Sequence, residues 1–113
     1  MKTHVLTLAS EPFEAIKNGN KTIESRLYDE KRKLVELGDE IVFINREAQD
    51  QSIRAEVVGL LRYSSFKELF SHNEPTKFNG SSVDWLLNQI HEFYSDEDEE
   101  KYSVVGIEFI VMH

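Results

Sequence analysis

Cysteine is absent from the sequence, which removes disulfides and thiolate metal ligands together and leaves nothing that demands an oxidising compartment. Two prolines and five glycines in 113 residues are too few for a fibrous or low-complexity chain. No apolar run approaches the roughly 20 residues of a membrane-spanning helix. The opening MKTHVLTLASEP is too short and too polar for a secretory signal, so a soluble, cytoplasmic protein is expected. The four histidines, His4, His72, His91 and His113, include no pair at zinc spacing, and neither a metal nor another cofactor is expected. A Gly-rich phosphate loop, a Gly-x-Ser-x-Gly elbow and a Cys-His pair are also missing, and most familiar catalytic classes go with them.

What is present is an ordinary folded composition, 40% apolar, 30% charged and 11% aromatic, at a length that fits one domain over residues 1–113. The net charge of -8 by itself opposes a nucleic-acid partner. Its distribution is uneven. Five acids stand together at Asp96–Glu100, whereas Lys17–Lys33 carries six bases against three acids, a basic arm hidden by the total. A solvated, mixed-charge surface is the plain alternative.

His4–Leu8 reads as a first strand, and Ser10 with Pro12 as the start of a helix over Phe13, Ile16 and Lys17, ended by Gly19 in a left-handed conformation. Tyr28–Lys33 reads as an exposed loop or single helical turn, and Gly38-Asp39 as a turn before a buried strand at Glu40–Asn45. Arg46–Ser52 forms a hairpin tip. Ile53–Tyr63 is the longest strand candidate, with a bulge or bend at Gly59. Ser64 or Ser65 caps a short helix through Phe66, Leu69 and Phe70, and His72–Ser82 is the longest stretch without periodicity. Ser82 caps an amphipathic helix whose stripe is Val83, Leu86, Leu87, Ile90 and Tyr94, with Trp85 beside it. The acidic run ends that helix or begins another turn, and Tyr102–Val111 is a final strand. Strands at both ends with helices between them predict an α+β fold, a small mixed-sheet barrel closed by its termini.

The chemistry concentrates between Lys21 and Arg32. Read as an extended strand, Ile23, Ser25 and Leu27 share one face, and Thr22, Glu24, Arg26 and Tyr28 the other. The second face spans roughly 20 Å at about 3.3 Å per residue. Arginine can grip a phosphate or base edge bidentately, and a carboxylate can accept from an exocyclic amine. Lys21, desolvated beside a helix end, could serve as a base. The structural alternative is a Glu24–Arg26 ion pair on a sheet face, and for Tyr28 and Trp85 packing in the core rather than stacking on a base.

GNKTIESRL, followed by DEKR and then by GD before an apolar strand, resembles the ASCH domain, whose fold is similar to the PUA domain of RNA-binding and RNA-modifying proteins. The pattern lies at Gly19, Lys21, Thr22, Glu24 and Arg26, and the likeness runs from Ser10 to Val111. It implies a PUA-like barrel with flanking helices and a cleft where Lys21, Glu24 and Arg26 face RNA or a nucleoside. In that reading Lys21 and Arg26 contact phosphate, Arg32 extends the track, and Tyr28 or Trp85 stacks. The family also includes an acetylcytidine amidohydrolase that uses a lysine, a threonine and a glutamate. Lys21 matches its lysine, Glu24 stands where it has threonine, Thr22 is the nearby hydroxyl, and Glu74 falls near its glutamate. A nucleic-acid or nucleotide binder and a hydrolase on a modified nucleoside or RNA are therefore both implied. A protein-interaction domain using Asp96–Glu100 is a third option.

Overall fold

A computed structural model describes the chain from Met1 to His113. Five strands and four helices follow in the order β1 (Thr3–Leu8), α1 (Ser10–Lys17), β2 (Ile23–Leu27), β3 (Glu40–Asn45), β4 (Ser52–Tyr63), α2 (Phe66–Ser71), α3 (Val83–Ile90), α4 (Asp96–Tyr102) and β5 (Val104–Val111). Short 3-10 turns lie at Arg32–Leu34 and Pro75–Lys77. The second of these, with an isolated bridge from Phe78 to Lys21, gives shape to the stretch expected to be structureless. No helix is long and apolar enough to cross a membrane.

Local chemistry explains most boundaries. Ser65, Ser82 and Ser95 accept the backbone N–H of Glu68, Trp85 and Asp98, so α2, α3 and α4 each begin on a capped turn. Asp98 completes a capping box by accepting the Ser95 N–H at 2.9 Å, which makes the acidic run a helix of its own. Tyr102 closes that helix instead of opening the last strand, and Ser103, at φ 58°, turns the chain into β5. Ser10 does not cap α1. It lies in the first turn, Ala9 holds the cap position, and the Ser10 hydroxyl donates to Asn45 Oδ1 at 3.0 Å.

The sheet order is β1-β3-β4-β5-β2, parallel only between β1 and β3. Register shifts between Val57 and Gly59, where a Cβ would sit 2.6 Å from Glu108 Oε1, so the expected bulge is tied to a close approach that glycine permits. The C-terminal strand is inserted between β4 and β2, and the termini do not close the barrel as expected. The edges are β1 and β2, and the curl brings them near enough for Arg26 Nη2 to donate to the Thr7 carbonyl at 3.4 Å. A side chain, not a strand ladder, spans the seam.

Two apolar clusters lie on either side of β5. Leu6, Phe13, Ile41, Phe43, Val57, Val105, Ile107 and Phe109 belong to the larger one, filled by the curl and α1. Ile23, Leu27, Phe66, Leu69, Phe70 and Val104 belong to the smaller one beneath α2 and α3. Directly opposed residues of an antiparallel pair share a face. Glu24 is opposite Ile107 and Arg26 opposite Val105, so these polar side chains project toward the larger core while Ile23 and Leu27 enter the smaller. Both faces of β2 are covered.

Candidate functional site

The turn before β2 sets the position of Lys21. Gly19 reverses the chain at φ 81°, and the Ala15 carbonyl accepts the N–H of both Asn20 (2.8 Å) and Lys21 (3.1 Å). Thr22 is held next, its N–H donating to the Lys77 carbonyl and its own carbonyl accepting from Phe109. From this fixed entry three charges converge. Glu24 Oε1 lies 2.7 Å from Lys21 Nζ, and Oε2 accepts from Arg26 Nε at 2.8 Å. Their side chains retain only 13% (Lys21), 5% (Glu24) and 16% (Arg26) of their accessible surface, so the trio is largely out of water.

Burial pushes the Glu24 carboxyl up, but the neighbouring charges and hydrogen bonds of Lys21 and Arg26 outweigh it and hold its pKa at about 2. Glu24 is therefore an anion at neutral pH. Arg26 shows the reciprocal effect: burial lowers its pKa, Glu24 raises it more, and the net direction is up.

The trio lines a pocket of about 360 Å³. One side is the end of β1 and the start of α1, and the other is α3 with the turn that follows it. Phe78, Trp85, Phe93 and Tyr94 supply aromatic surface, and Arg46 and Glu11 add one charge of each sign. Trp85 is 38% and Phe93 70% exposed, values that suit a wall open to a ligand better than a packed core. Tyr94 stacks on Phe66 at 5.7 Å, which anchors this wall to the smaller core.

Lys21, Glu24 and Arg26 are thus brought together, whereas Thr22, Tyr28, Arg32 and Glu74 do not line this pocket. The β2 strand ends at Leu27, so the alternation no longer applies at Tyr28, whose ring lies 3.9 Å from the Arg62 guanidinium. Arg32 donates to Asp29 through Nη1 at 3.4 Å, and its Nε is buried without a partner. Glu74 is exposed, ahead of the Pro75 turn. Sequence reasoning missed Arg46, Phe93 and Tyr94 as site residues. A large apolar side chain amid the acids of HEFYSDEDEE was a usable signal for Phe93, while Arg46 reaches the pocket only because β3 ends beside β1.

The fold also assembles donor atoms of His91, Asp96 and Glu99 within 4.8 Å of one another, a grouping that histidine spacing could not show. Glu99 is already engaged there, accepting the Phe66 N–H at 2.7 Å and lying 3.0 Å from His91 Nε2. Its evident work is to tie α4 to α2 and to the end of α3.

A curled mixed sheet with helices against it and a polar trio at its seam defines a PUA-like α+β domain. The chain belongs to the ASCH domain family, whose profile matches residues 6–113. Among solved structures, the crystal structure of hypothetical protein PH0355 is 36% identical with a TM-score of 0.86, covering 99% of this chain and all of that one. The solution structure of PF0455 from Pyrococcus furiosus is 31% identical with a TM-score of 0.77, covering 100% of this chain and 99% of its own. An ASCH protein from Zymomonas mobilis, at 18% identity and a TM-score of 0.62, shares the fold over 96% of this chain and 67% of its own. A search of curated proteins finds no match.

Proposed function

We propose that this ASCH domain binds RNA by accepting one nucleotide of a single strand in the pocket at the β1–β2 seam. The observation that carries this reading is the aromatic-walled hollow of about 360 Å³ with the Lys21–Glu24–Arg26 trio in its lining. Its volume falls within the roughly 300–1,000 Å³ of small-ligand sites. A carboxylate has about four lone-pair sites. Glu24 uses one on each oxygen for its partners and keeps acceptors for the exocyclic amine of a base. Trp85, Phe93 and Tyr94 offer the rings on which an unpaired base stacks. The charge of -8 disfavours a long duplex, which must be gripped along many phosphates, more than one extruded nucleotide.

Trp85 is the single tryptophan of the chain, so its emission reports on the pocket directly. Titration with short single-stranded RNA is expected to change that emission saturably, and Phe93→Ala to weaken binding roughly tenfold or more, since stacking contributes about 1–3 kcal/mol per base. No response from Trp85 emission and none from amide chemical shifts at millimolar RNA would remove the reading.

A hydrolytic reading keeps one specific support, the 2.7 Å Lys21–Glu24 contact within the pocket. A carboxyl ionised down to about pH 2 does not donate a proton near neutrality, so Glu24 would act only as base or water-holder. Turnover of acetylcytidine that is abolished in folded Lys21→Ala would establish this activity. Silence across acetylated nucleosides and RNA at high enzyme concentration would exclude those substrates.

A further inference from the structure

We propose that Arg46 holds the phosphate in this pocket, and that the ligand is therefore a phosphorylated nucleotide, free or within an RNA strand, rather than a neutral nucleoside. The proposal rests on the pocket being the ligand site and adds to it the chemical class and a direction.

The pocket is lined by three cations, Lys21, Arg26 and Arg46, and two carboxylates, Glu11 and Glu24, an excess of positive charge in a molecule of net charge -8. Two of those cations are not free to grip phosphate. Lys21 and Arg26 each face a Glu24 oxygen at 2.7 and 2.8 Å, and a phosphate drawn to either would stand against that carboxylate. The trio suits the uncharged, amine-bearing end of a nucleotide. The anionic end belongs elsewhere.

Arg46 is where it can go. Its side chain is exposed and takes part in none of the chain's ion pairs. Its backbone is fixed, because its N–H donates to the Leu8 carbonyl at 2.7 Å. The preceding Asn45 is buried and anchored on both ends of its amide: Oδ1 accepts from Ser10 Oγ and the Glu47 N–H, each at 3.0 Å, and Nδ2 donates to Gln51 at 3.2 Å. A guanidinium on such a mount can close on a phosphate bidentately while losing only side-chain freedom. The same rim carries Ala9, which begins α1 without a capping side chain, so the positive end of that helix adds to the potential Arg46 sets up. Glu11 opposes it, but from an exposed side chain free to swing into water. The pocket then has a base end at Glu24 and a phosphate end at Arg46.

The test compares the four ribonucleosides, their 5′-monophosphates and a short single-stranded RNA by Trp85 emission, in wild type, Arg46→Ala and Arg46→Lys. For wild type, at least one monophosphate is expected to bind roughly tenfold or more tighter than its nucleoside, as charge-assisted hydrogen bonds imply. Arg46→Ala should erase that ratio while leaving nucleoside affinity within about twofold, and Arg46→Lys should restore part of it. For RNA, Arg46→Ala should also lower the salt slope by about one. If Arg46 matters for RNA and not for monophosphates, the ligand phosphate is a diester of the strand. Equal affinity for nucleoside and phosphate, with RNA binding indifferent to Arg46→Ala, overturns the assignment and leaves the pocket reading standing. Absence of binding by every probe overturns both.

Discussion

Glu24→Ala is expected to destabilise the fold by about 3–5 kcal/mol, because it strands two largely desolvated cations whose only ion-pair partner is removed. For a domain of this size that corresponds to a fall in Tm of roughly 12 °C or more. The loss is larger than that of a surface ion pair, which contributes at most about 1 kcal/mol. Lys21 and Arg26 keep 13% and 16% of their side-chain surface and cannot simply rehydrate where they stand. Nor is the damage local, since Arg26 also joins the two edge strands through Thr7, and freeing its guanidinium loosens the seam. Thermal melts of Glu24→Ala, Glu24→Gln and the double variant Lys21→Met/Glu24→Gln would decide the matter. Glu24→Gln keeps the shape but removes the charge, and should fall nearly as far as alanine. The double variant has one stranded cation fewer and should recover part of the loss. A Glu24→Ala protein that melts within a degree or two of wild type would mean that the trio is hydrated and adjustable, and the pocket reading would lose its rigid floor.

That trio also marks the limit of what the sequence alone discloses. The alternation along KTIESRL places Ile23 and Leu27 on one face and Glu24 and Arg26 on the other, and the structure agrees. The polar face was expected to front a cleft, and Lys21, Glu24 and Arg26 do line the pocket, but turned inward and largely out of water. The reason is long-range: β2 is paired with β5, from the far end of the chain, and the register Glu24 opposite Ile107 turns the charged face toward the larger core. No local pattern contains that register. Gly59 was legible because a glycine inside a strand pattern demands a backbone explanation, whereas closure by the termini failed because strand order is a property of the whole sheet. Tyr28 was drawn into the site by extending the alternation past Leu27, where the strand stops, and Arg32 by its charge alone, as the continuation of a phosphate track. Arg46 stayed outside it because nothing near it in sequence shows what it stands beside, and Phe93 because an apolar ring amid acids marks an exposed surface without saying which wall it joins.

Acidification should reveal the trio's charge most clearly. The Glu24 pKa in the folded protein is about 2, below its ordinary 4.5, so the unfolded chain binds the proton more tightly than the folded one. The stability this represents is fully present above about pH 4.5 and is lost as the pH falls toward 2, with a slope approaching about 1.4 kcal/mol per unit within that window. Asp39 works in the same direction. Its carboxyl is held well below the usual range, first by the 2.8 Å contact with His4 Nε2 and then by the Lys2 N–H at 3.1 Å, with burial opposing and the Glu36 N–H adding to the effect. A counter-effect must be separated out, because protonating the exposed carboxylates relieves the self-repulsion of a chain at -8 and by itself stabilises the fold in mild acid. The difference between wild type and Glu24→Gln removes that shared background. In urea unfolding it should be constant from pH 7 to about pH 5, shrink steadily below pH 4.5 and nearly vanish by about pH 2, whereas the corresponding difference for an exposed acid such as Glu74→Gln should stay near zero throughout. A Glu24 difference independent of pH would show that the side chain contributes through its shape and not its charge, and the anionic floor on which the base end of the pocket depends would not exist.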